Sequence, residues 1–319
     1  MSYQITTAQV QQYATNVAML LQQQGSRLRG FVQEYGFTGK AASFLEQFAA
    51  VNAAFSLARH ADTPISDVGQ DRRWVFPIDC DWGALIDQQD RLRLIIDPTG
   101  PYAQAAAMEI GRKFDDLIIS AFFNNNLTGE NGTTSTGTLY AYNSNSQSVP
   151  ATTGGSSACG LNVAKLRLAK RKLLEAEVDV DSDPLYIAIT AKQHDDLLNE
   201  AQAINLDYTT RPVLEEGKIV RFMGFNFIHS ERVPGGASFN ATTPGNALAT
   251  GSSDGQYTTG SRWMLPCWAK SGLALGIWGD MFTRVSERDD KRYSTQVYAS
   301  ATAGASRTEE KRCVLINCV

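Results

Sequence analysis

Three aspartates at alternate positions are the residues whose spacing is nearest to a known chemistry. Asp179, Asp181 and Asp183 stand two residues apart, as do the first three ligands of a calcium-binding loop. Such a loop has glycine at its sixth position and a bidentate glutamate at its twelfth. The sequence has Pro184 and Thr190 there. We therefore predict no calcium site.

The other candidates for catalysis also lack their partners. Residues 36–41 (GFTGKA) are similar to a phosphate-binding loop, but alanine replaces the serine or threonine that must follow the lysine. Asp115 and Asp116 are adjacent in a helical pattern, so they point in different directions and form no carboxylate pair. No serine lies in a GxSxG elbow. The histidines are too far apart in sequence to suggest a metal site: His60, His194 and His229. The sequence predicts no enzyme, cofactor or metal.

Composition indicates a globular chain without a nucleic-acid-binding surface. The chain has 319 residues, of which 43% are hydrophobic, enough to bury a sizeable core. Its 29 basic and 33 acidic side chains leave a formal net charge of −4, which argues against a basic binding face. The first residues do not follow a signal-peptide pattern, and the apolar run at 117–123 is too short to cross a bilayer. Five dispersed cysteines without a CxxC pair predict reduced thiols: Cys80, Cys159, Cys267, Cys313 and Cys318.

The first hundred residues contain two helical patterns followed by two alternating ones. Apolar residues recur at helical intervals over 17–21 and 44–55, which predicts two helices broken near residues 36–39. Residues 59–97 hold eight Asp and five Arg but neither Glu nor Lys. Within them, 73–78 and 91–96 alternate with period two, which predicts a long antiparallel hairpin. An isolated hairpin is marginally stable in water, so it must lie on another surface.

The clearest element is a long amphipathic helix over residues 101–123. Its apolar residues follow one stripe at i+3 and i+4 spacing, and polar residues such as Glu109 and Lys113 follow the opposite one. We expect the apolar stripe to form the core against strands that contain Leu273, Leu275 and Val314. The predicted core residues of this helix are Phe114, Leu117, Ile118 and Phe122.

The rest of the chain predicts an α/β segment between two long loops, followed by strands. The stretches 124–160 and 233–261 are almost uncharged and polar, which is typical of loops. Between them we predict a helix at 161–177 with Lys165 facing outward, a buried strand at 185–190 and a helix near 191–201. A strand interrupted at Gly224 follows. From residue 263 onward the pattern is chiefly β.

Several segments, taken in order, resemble a known family. They are 57–64 (LARHADTP), 81–87 (DWGALID), 97–107 (DPTGPYAQAAA), 111–116 (GRKFDD) and 127–132 (LTGENG). In this order they resemble the major capsid proteins of tailed bacteriophages with the Hong Kong 97-type fold, in a podovirus-associated branch. The strong part covers about residues 55–135, and the remainder agrees in layout. None of these segments is a catalytic signature.

The resemblance implies an α+β capsid fold with four parts. These are an N-terminal arm (1–55), an extended β-hairpin loop that reaches across a neighbouring subunit (56–97), a peripheral domain (98–154 and 263–319) with a spine helix at 101–123, and an axial domain (155–262). Within the extended loop, we expect four arginines to pair with carboxylates of a neighbouring subunit: Arg72, Arg73, Arg91 and Arg93.

The function implied by the resemblance is structural. Copies of the chain would assemble as hexamers and pentamers into an icosahedral head shell, in the host cytoplasm and without a membrane. The expected partners are a separate scaffolding protein, a portal protein at one vertex, packaged double-stranded DNA bound non-specifically inside, and a decoration protein where one exists. Two alternatives stay open from the sequence: an encapsulin-like compartment shell, and an α+β enzyme with an unrecognised site.

Overall fold

Strands from distant parts of the chain combine into four sheets in the computed structural model. The structure describes residues 22–40, 42–48, 51–53, 65–87, 89, 99–123, 126–129, 138–140, 147–200, 214–215, 218–233 and 263–319. Within these residues the helices are α1 (Thr99–Phe123), α2 (Val163–Glu175) and α3 (Ala191–Leu198). The strands are β1 (Gln33–Gly36), β2 (Ala42–Phe48), β3 (Gln70–Val75), β4 (Ile78–Ile86), β5 (Asn126–Thr128), β6 (Thr138–Tyr140), β7 (Ser148–Val149), β8 (Leu185–Ile189), β9 (Leu214–Glu215), β10 (Lys218–Ile219), β11 (Arg221–Phe222), β12 (Phe225–His229), β13 (Trp263–Ala269), β14 (Leu273–Arg288), β15 (Ser294–Arg307) and β16 (Cys313–Cys318).

The long helix α1 packs on a four-stranded sheet with the order β1-β14-β15-β4. Alternate residues of β15 face the helix and are buried, and they are small: Val297, Ala299, Ala301 and Ala303. Small side chains let a helix approach a sheet closely, which buries the apolar stripe of α1. The helix begins at Thr99, two residues before the predicted start. Pro101 is accommodated in its first turn, where the backbone N–H has no intrahelical acceptor.

A six-stranded mixed sheet forms the second half of the core, with the order β11-β12-β8-β13-β16-β7. The predicted interruption at Gly224 is confirmed as a tight turn between β11 and β12, where Met223 and Gly224 both have positive φ angles of 53° and 90°. This sheet joins strands from both sides of the expected domain boundary at residue 262. The division into peripheral and axial domains stays a prediction.

The second of the two helices predicted before residue 55 is wrong where the structure describes it. Residues 33–36 form β1, parallel to β14, and residues 42–48 form β2, antiparallel to β3. Phe44 and Phe48 are four residues apart, a spacing that fits one face of a strand as well as one face of a helix. Pairing of residues 42–48 with β3 selects the strand conformation over the helix. Residues 17–21 lie outside the described part of the chain.

The predicted hairpin between 73–78 and 91–96 also needs correction. The first run is two strands: β3 ends at Val75 and pairs with β2 and β5, whereas β4 starts at Ile78 and pairs with β15. Pro77 lies between them and has no N–H to donate to a strand partner. The alternating pattern of residues 73–78 therefore spans two strands that belong to different sheets. Residues 91–96 lie outside the described residues.

Candidate functional site

The segment before β1 is anchored to α1 by one carboxylate. Asp115 is fully buried, and its oxygens accept hydrogen bonds from the Gln23 side chain and the Ser26 hydroxyl, each at 2.5 Å. The backbone N–H groups of Arg27 and Leu28 donate to the same carboxylate at 3.0–3.1 Å. A buried carboxylate is stable only with such donors. Asp115 therefore fixes the course of residues 23–28 across the spine helix.

Close approach of this segment to the helix depends on Gly111. A Cβ atom at Gly111 would lie 2.6 Å from the Ser26 nitrogen and 2.7 Å from Gly25 backbone atoms. These are backbone atoms, so they cannot move aside as a side-chain end could. Gly111 precedes Asp115 by one helical turn, so the two residues form a groove and an anchor on the same face of α1.

Gly111→Ala is expected to destabilise the subunit by about 1–3 kcal/mol, because the new methyl group overlaps backbone. Helix propensity alone predicts the opposite, a gain of up to about 1 kcal/mol. The matched control is Gly100→Ala in the same helix, where a Cβ meets no atom within 4 Å. Urea unfolding of both variants separates the two effects. Equal stability of both variants would contradict the anchoring role of this groove.

The polar stripe of α1 also holds the chain that follows β12. Arg232 donates two hydrogen bonds to Asp116, at 2.6 and 2.5 Å, and this pairing raises the pKa of the Arg232 guanidinium. Beside it, Arg27 donates to the carbonyl of His229 at 2.8 Å. Glu109 and Lys113 of the same stripe form an i,i+4 contact that is long, at 3.9 Å. This stripe is therefore largely an internal contact surface.

The carboxyl end of α1 is capped by a buried arginine. Arg307, on β15, has no solvent exposure, and its guanidinium donates to the carbonyls of Ala121 and Phe122 at 3.0 and 2.6 Å. The last carbonyls of a helix have no intrahelical donor and carry the negative end of the helix dipole. Arg307 therefore satisfies these carbonyls and joins the helix end to the sheet.

Glu310 connects this cap to β3. Its carboxylate lies 2.9 Å from the Arg73 guanidinium and 4.0 Å from that of Arg307, and it accepts a hydrogen bond from Asn126 at 3.2 Å. The side chains of Arg73 and Glu310 are only 4% and 7% exposed. We call Arg73, Asn126, Arg307 and Glu310 the buried charge network. It joins β3, the end of the spine helix and the segment between β15 and β16.

The structure corrects the expectation for Arg73. This guanidinium is buried and pairs with a carboxylate of its own subunit, because β3 enters the interior where it meets β5. Arg72, the residue before it, points to the surface and forms an exposed pair with Glu46 at 2.7 Å. Arg91 and Arg93 lie outside the described residues. Successive side chains of a strand point to opposite faces, which explains why Arg73 is buried whereas the neighbouring Arg72 is exposed.

The residues expected in the core of the spine helix are all buried. Their exposed fractions are 3% for Phe114, 5% for Leu117, 2% for Ile118 and 0% for Phe122. They belong to one hydrophobic cluster that includes Leu273, Leu275 and Val314. The strands directly under the helix are β15, β14 and β4.

Sequence reasoning missed Asp115, Arg307, Glu310 and Lys165. Asp115 stands on the same helical face as Ile118, Ile119 and Phe122, and a carboxylate among apolar residues signals a buried anchor. Lys165, predicted outward, is fully buried, and its ammonium group donates to backbone carbonyls of Cys159 and Asn317. Nothing in the local sequence around Arg307 and Glu310 marks them as buried.

The strands β4, β14 and β15 form a three-stranded distal ribbon, comprising residues 78–86, 279–288 and 294–303, in which alternate residues of β15 are buried against α1. Along β14 the ribbon is exposed from Asp280 to Val285. Large apolar side chains on or beside it are about half exposed: Ile78, Leu85, Met281, Phe282, Val285 and Tyr293. Several exposed apolar side chains on one sheet surface are typical of a protein–protein contact surface.

The described residues contain free thiols, but neither a metal-ligating cluster nor a membrane-spanning helix. All five cysteines are free, and burial raises the pKa of Cys313 and Cys318 to about 12, so these thiols stay protonated and unreactive. Within the described residues, no three His, Cys, Asp or Glu side chains are grouped to bind a metal ion. Among those same residues, no helix has the length and hydropathy needed to span a membrane.

Comparison with solved structures identifies the class of the fold. The capsid of cyanophage P-SCSP1u superposes with a TM-score of 0.69 at 12% identity, covering 98% of this chain and 94% of that one. The capsid of cyanophage Pam1 gives 0.69 at 14% identity, with coverage of 98% and 97%. The head of Helicobacter pylori bacteriophage KHP40 gives 0.68 at 8% identity, with coverage of 100% and 99%. The fold is thus that of bacteriophage capsid subunits.

The family follows from the sequence itself. The model of the phage capsid protein family matches residues 5–319, so the chain belongs to this family. No curated protein matches the sequence. The chain is a structural major capsid protein of tailed-phage type, with the Hong Kong 97-type fold and no enzymatic role, and its place is the virion shell. The resemblance seen in the sequence is confirmed, and the encapsulin-like and enzyme alternatives are not retained.

Proposed function

We propose that copies of this chain assemble into hexamers and pentamers, which close an icosahedral head shell around double-stranded DNA. The observation that carries this proposal is the distal ribbon. Its apolar side chains, such as Phe282 and Val285, are about half exposed in the single subunit. Burying them against other copies would contribute about 25 cal/mol for each Å² of apolar surface. Shell closure supplies that burial for every subunit.

The proposal assigns a role to each part of the chain. Residues 1–55 act as an arm, 56–97 as an extended loop over a neighbour, 98–154 and 263–319 as the peripheral domain, and 155–262 as the axial domain. Contacts of Asp115 with residues 23–28 support an arm held by the spine helix. Arg72 is accessible for an intersubunit pair, and Arg91 and Arg93 remain proposed for the same role.

Further partners belong to the same proposal. A separate scaffolding protein guides assembly in the host cytoplasm, a portal protein occupies one vertex, and a decoration protein binds outside where one exists. Packaged DNA touches the inner wall without sequence specificity. The net charge of −4 supports weak contact, because tight binding of DNA needs many Lys and Arg side chains against phosphates.

Shell assembly has a direct test. The chain co-expressed with its scaffolding protein is expected to sediment as a megadalton particle and to show closed shells in electron micrographs. No cofactor or metal should be needed, so dialysis against a chelator should leave the particles intact. A chain that stays monomeric or dimeric under these conditions would overturn the proposal.

A further inference from the structure

The exposed face of α2 carries three cations beside an apolar depression. Arg167, Lys170 and Arg171 are three and four residues apart, so they share one face of the helix; we call them the cationic stripe. They line a depression of about 440 Å³, which Leu174 and Met223 also line. Leu174 is 53% exposed. A cationic rim around an apolar floor matches a partner that offers carboxylates and some apolar surface.

The ion pair that the cationic stripe forms within the subunit leaves its charges accessible to a partner. Arg171 contacts Glu175 at 2.6 Å, but both side chains are more than half exposed. Such an exposed i,i+4 pair contributes only about 0.3–0.5 kcal/mol. Replacing Glu175 by a carboxylate of another molecule as the partner of Arg171 therefore costs little free energy. Three cations face one carboxylate around the depression, so this surface is positive on a chain of net charge −4.

The complementary surface lies on the same chain, directly after α2. Residues 177–182 form an acidic turn in which Glu177, Asp179 and Asp181 are exposed. Asp179 accepts hydrogen bonds from the Ser182 hydroxyl at 2.6 Å and from the backbone N–H of Asp181 at 3.2 Å, which lowers the pKa of its carboxyl group. The turn is therefore ordered and negatively charged, and its exposed Glu177 and Asp181 extend from a backbone that these hydrogen bonds hold in place.

We propose that the cationic stripe of one subunit binds the acidic turn of a second copy of the chain. Two different surfaces of one chain then meet in a heterologous contact, which repeats from subunit to subunit and closes into a ring when the rotation allows it. The contact would define the neighbour within each hexamer or pentamer, so it rests on the proposed ring assembly. The apolar floor at Leu174 favours a protein partner over a phosphate backbone.

Charge reversal tests the contact. Arg167→Glu with Arg171→Glu, or separately Glu177→Lys with Asp181→Lys, is expected to lower the particle yield at least tenfold, while circular dichroism shows a folded subunit. Asp179 is left intact because it holds the turn. Combining all four substitutions restores opposite charges and should recover most of the yield. Lys192→Glu with Asp195→Lys, on the exposed side of α3, is the matched control and should assemble like the wild type.

Cross-linking provides a measurement that does not depend on yield. Arg171→Cys with Asp181→Cys should form intersubunit disulfides in assembled particles under oxidation, giving a ladder of covalent oligomers up to five or six subunits. Each single cysteine variant is the control and should give no ladder.

The outcomes separate this inference from the proposed function. Wild-type chain that forms no particles refutes the shell proposal. Wild-type particles together with reversed variants that assemble normally, or with a fourfold variant no better than its parents, refute the contact. Stripe-reversed shells that form at normal yield but package less DNA would assign the stripe to nucleic acid and also refute it.

Discussion

Replacing Glu310 with alanine is expected to cost the subunit about 3–5 kcal/mol of its stability. Glu310 is the carboxylate between two buried guanidinium groups, Arg73 at 2.9 Å and Arg307 at 4.0 Å. Removing it takes the carboxylate away from both buried guanidinium groups, and breaking a buried pair from one side carries a cost of about this size. This is a large part of the 5–15 kcal/mol typical of a domain, so few particles should form. The measurement is the urea midpoint of the soluble subunit.

The neighbouring residue supplies the control. Glu309 pairs with Arg312 at 3.1 Å, but both side chains are about 40% exposed, so Glu309→Gln should change stability by about 0–1 kcal/mol. A second experiment replaces both partners of the buried pair in one double variant, Arg73→Met with Glu310→Gln. This double variant should lose less stability than the two single variants added together, because no isolated charge of the pair remains. Additive losses would show that the network is not coupled as its geometry indicates.

Truncating Phe114 to alanine is expected to cost about 3–5 kcal/mol through lost burial and the cavity that remains. The ring is 3% exposed and lies in the core beneath the spine helix, with the Arg29 guanidinium 5.3 Å from its centroid. Thermal unfolding of the soluble subunit and the yield of particles both measure the effect. The expected result is a poorly folded subunit and few shells.

The adjacent Lys113 tests the opposite face of the same helix. Its side chain is 37% exposed, and its contacts with Glu109 and Asp116 are long, at 3.9 and 3.6 Å. Lys113→Ala should therefore cost only about 0.3–0.5 kcal/mol and leave the subunit folded. A normal Phe114→Ala subunit beside an unfolded Lys113→Ala subunit would mean that the helix is oriented the other way round.

The two sites tie distant segments of the chain to the spine helix. The buried charge network joins β3 to the carboxyl end of this helix, while Asp115 joins residues 23–28 to its middle. On the proposed assignment, the N-terminal arm and the extended loop each contain a segment that is fixed to the spine helix.

The sequence by itself determined the elements that have a strong local period. The apolar stripe of α1 identifies Phe114, Leu117, Ile118 and Phe122 as buried, because a helix of 25 residues repeats its pattern many times. The pattern from residue 263 onward likewise predicts strands, and β13 to β16 lie there. The order of short segments between residues 57 and 132 indicated the capsid family without any catalytic motif.

Only the tertiary structure decided how short segments pair and which charges are buried. β2 contains a spacing that suits a helix or a strand, and pairing with β3 selected the strand. Arg72 and Arg73 are indistinguishable in sequence, yet one is exposed and the other is buried against Glu310, whose position depends on residues more than 230 places away in the chain. A local pattern reports the period of its own element, whereas burial of a charge depends on which distant groups the fold brings to it.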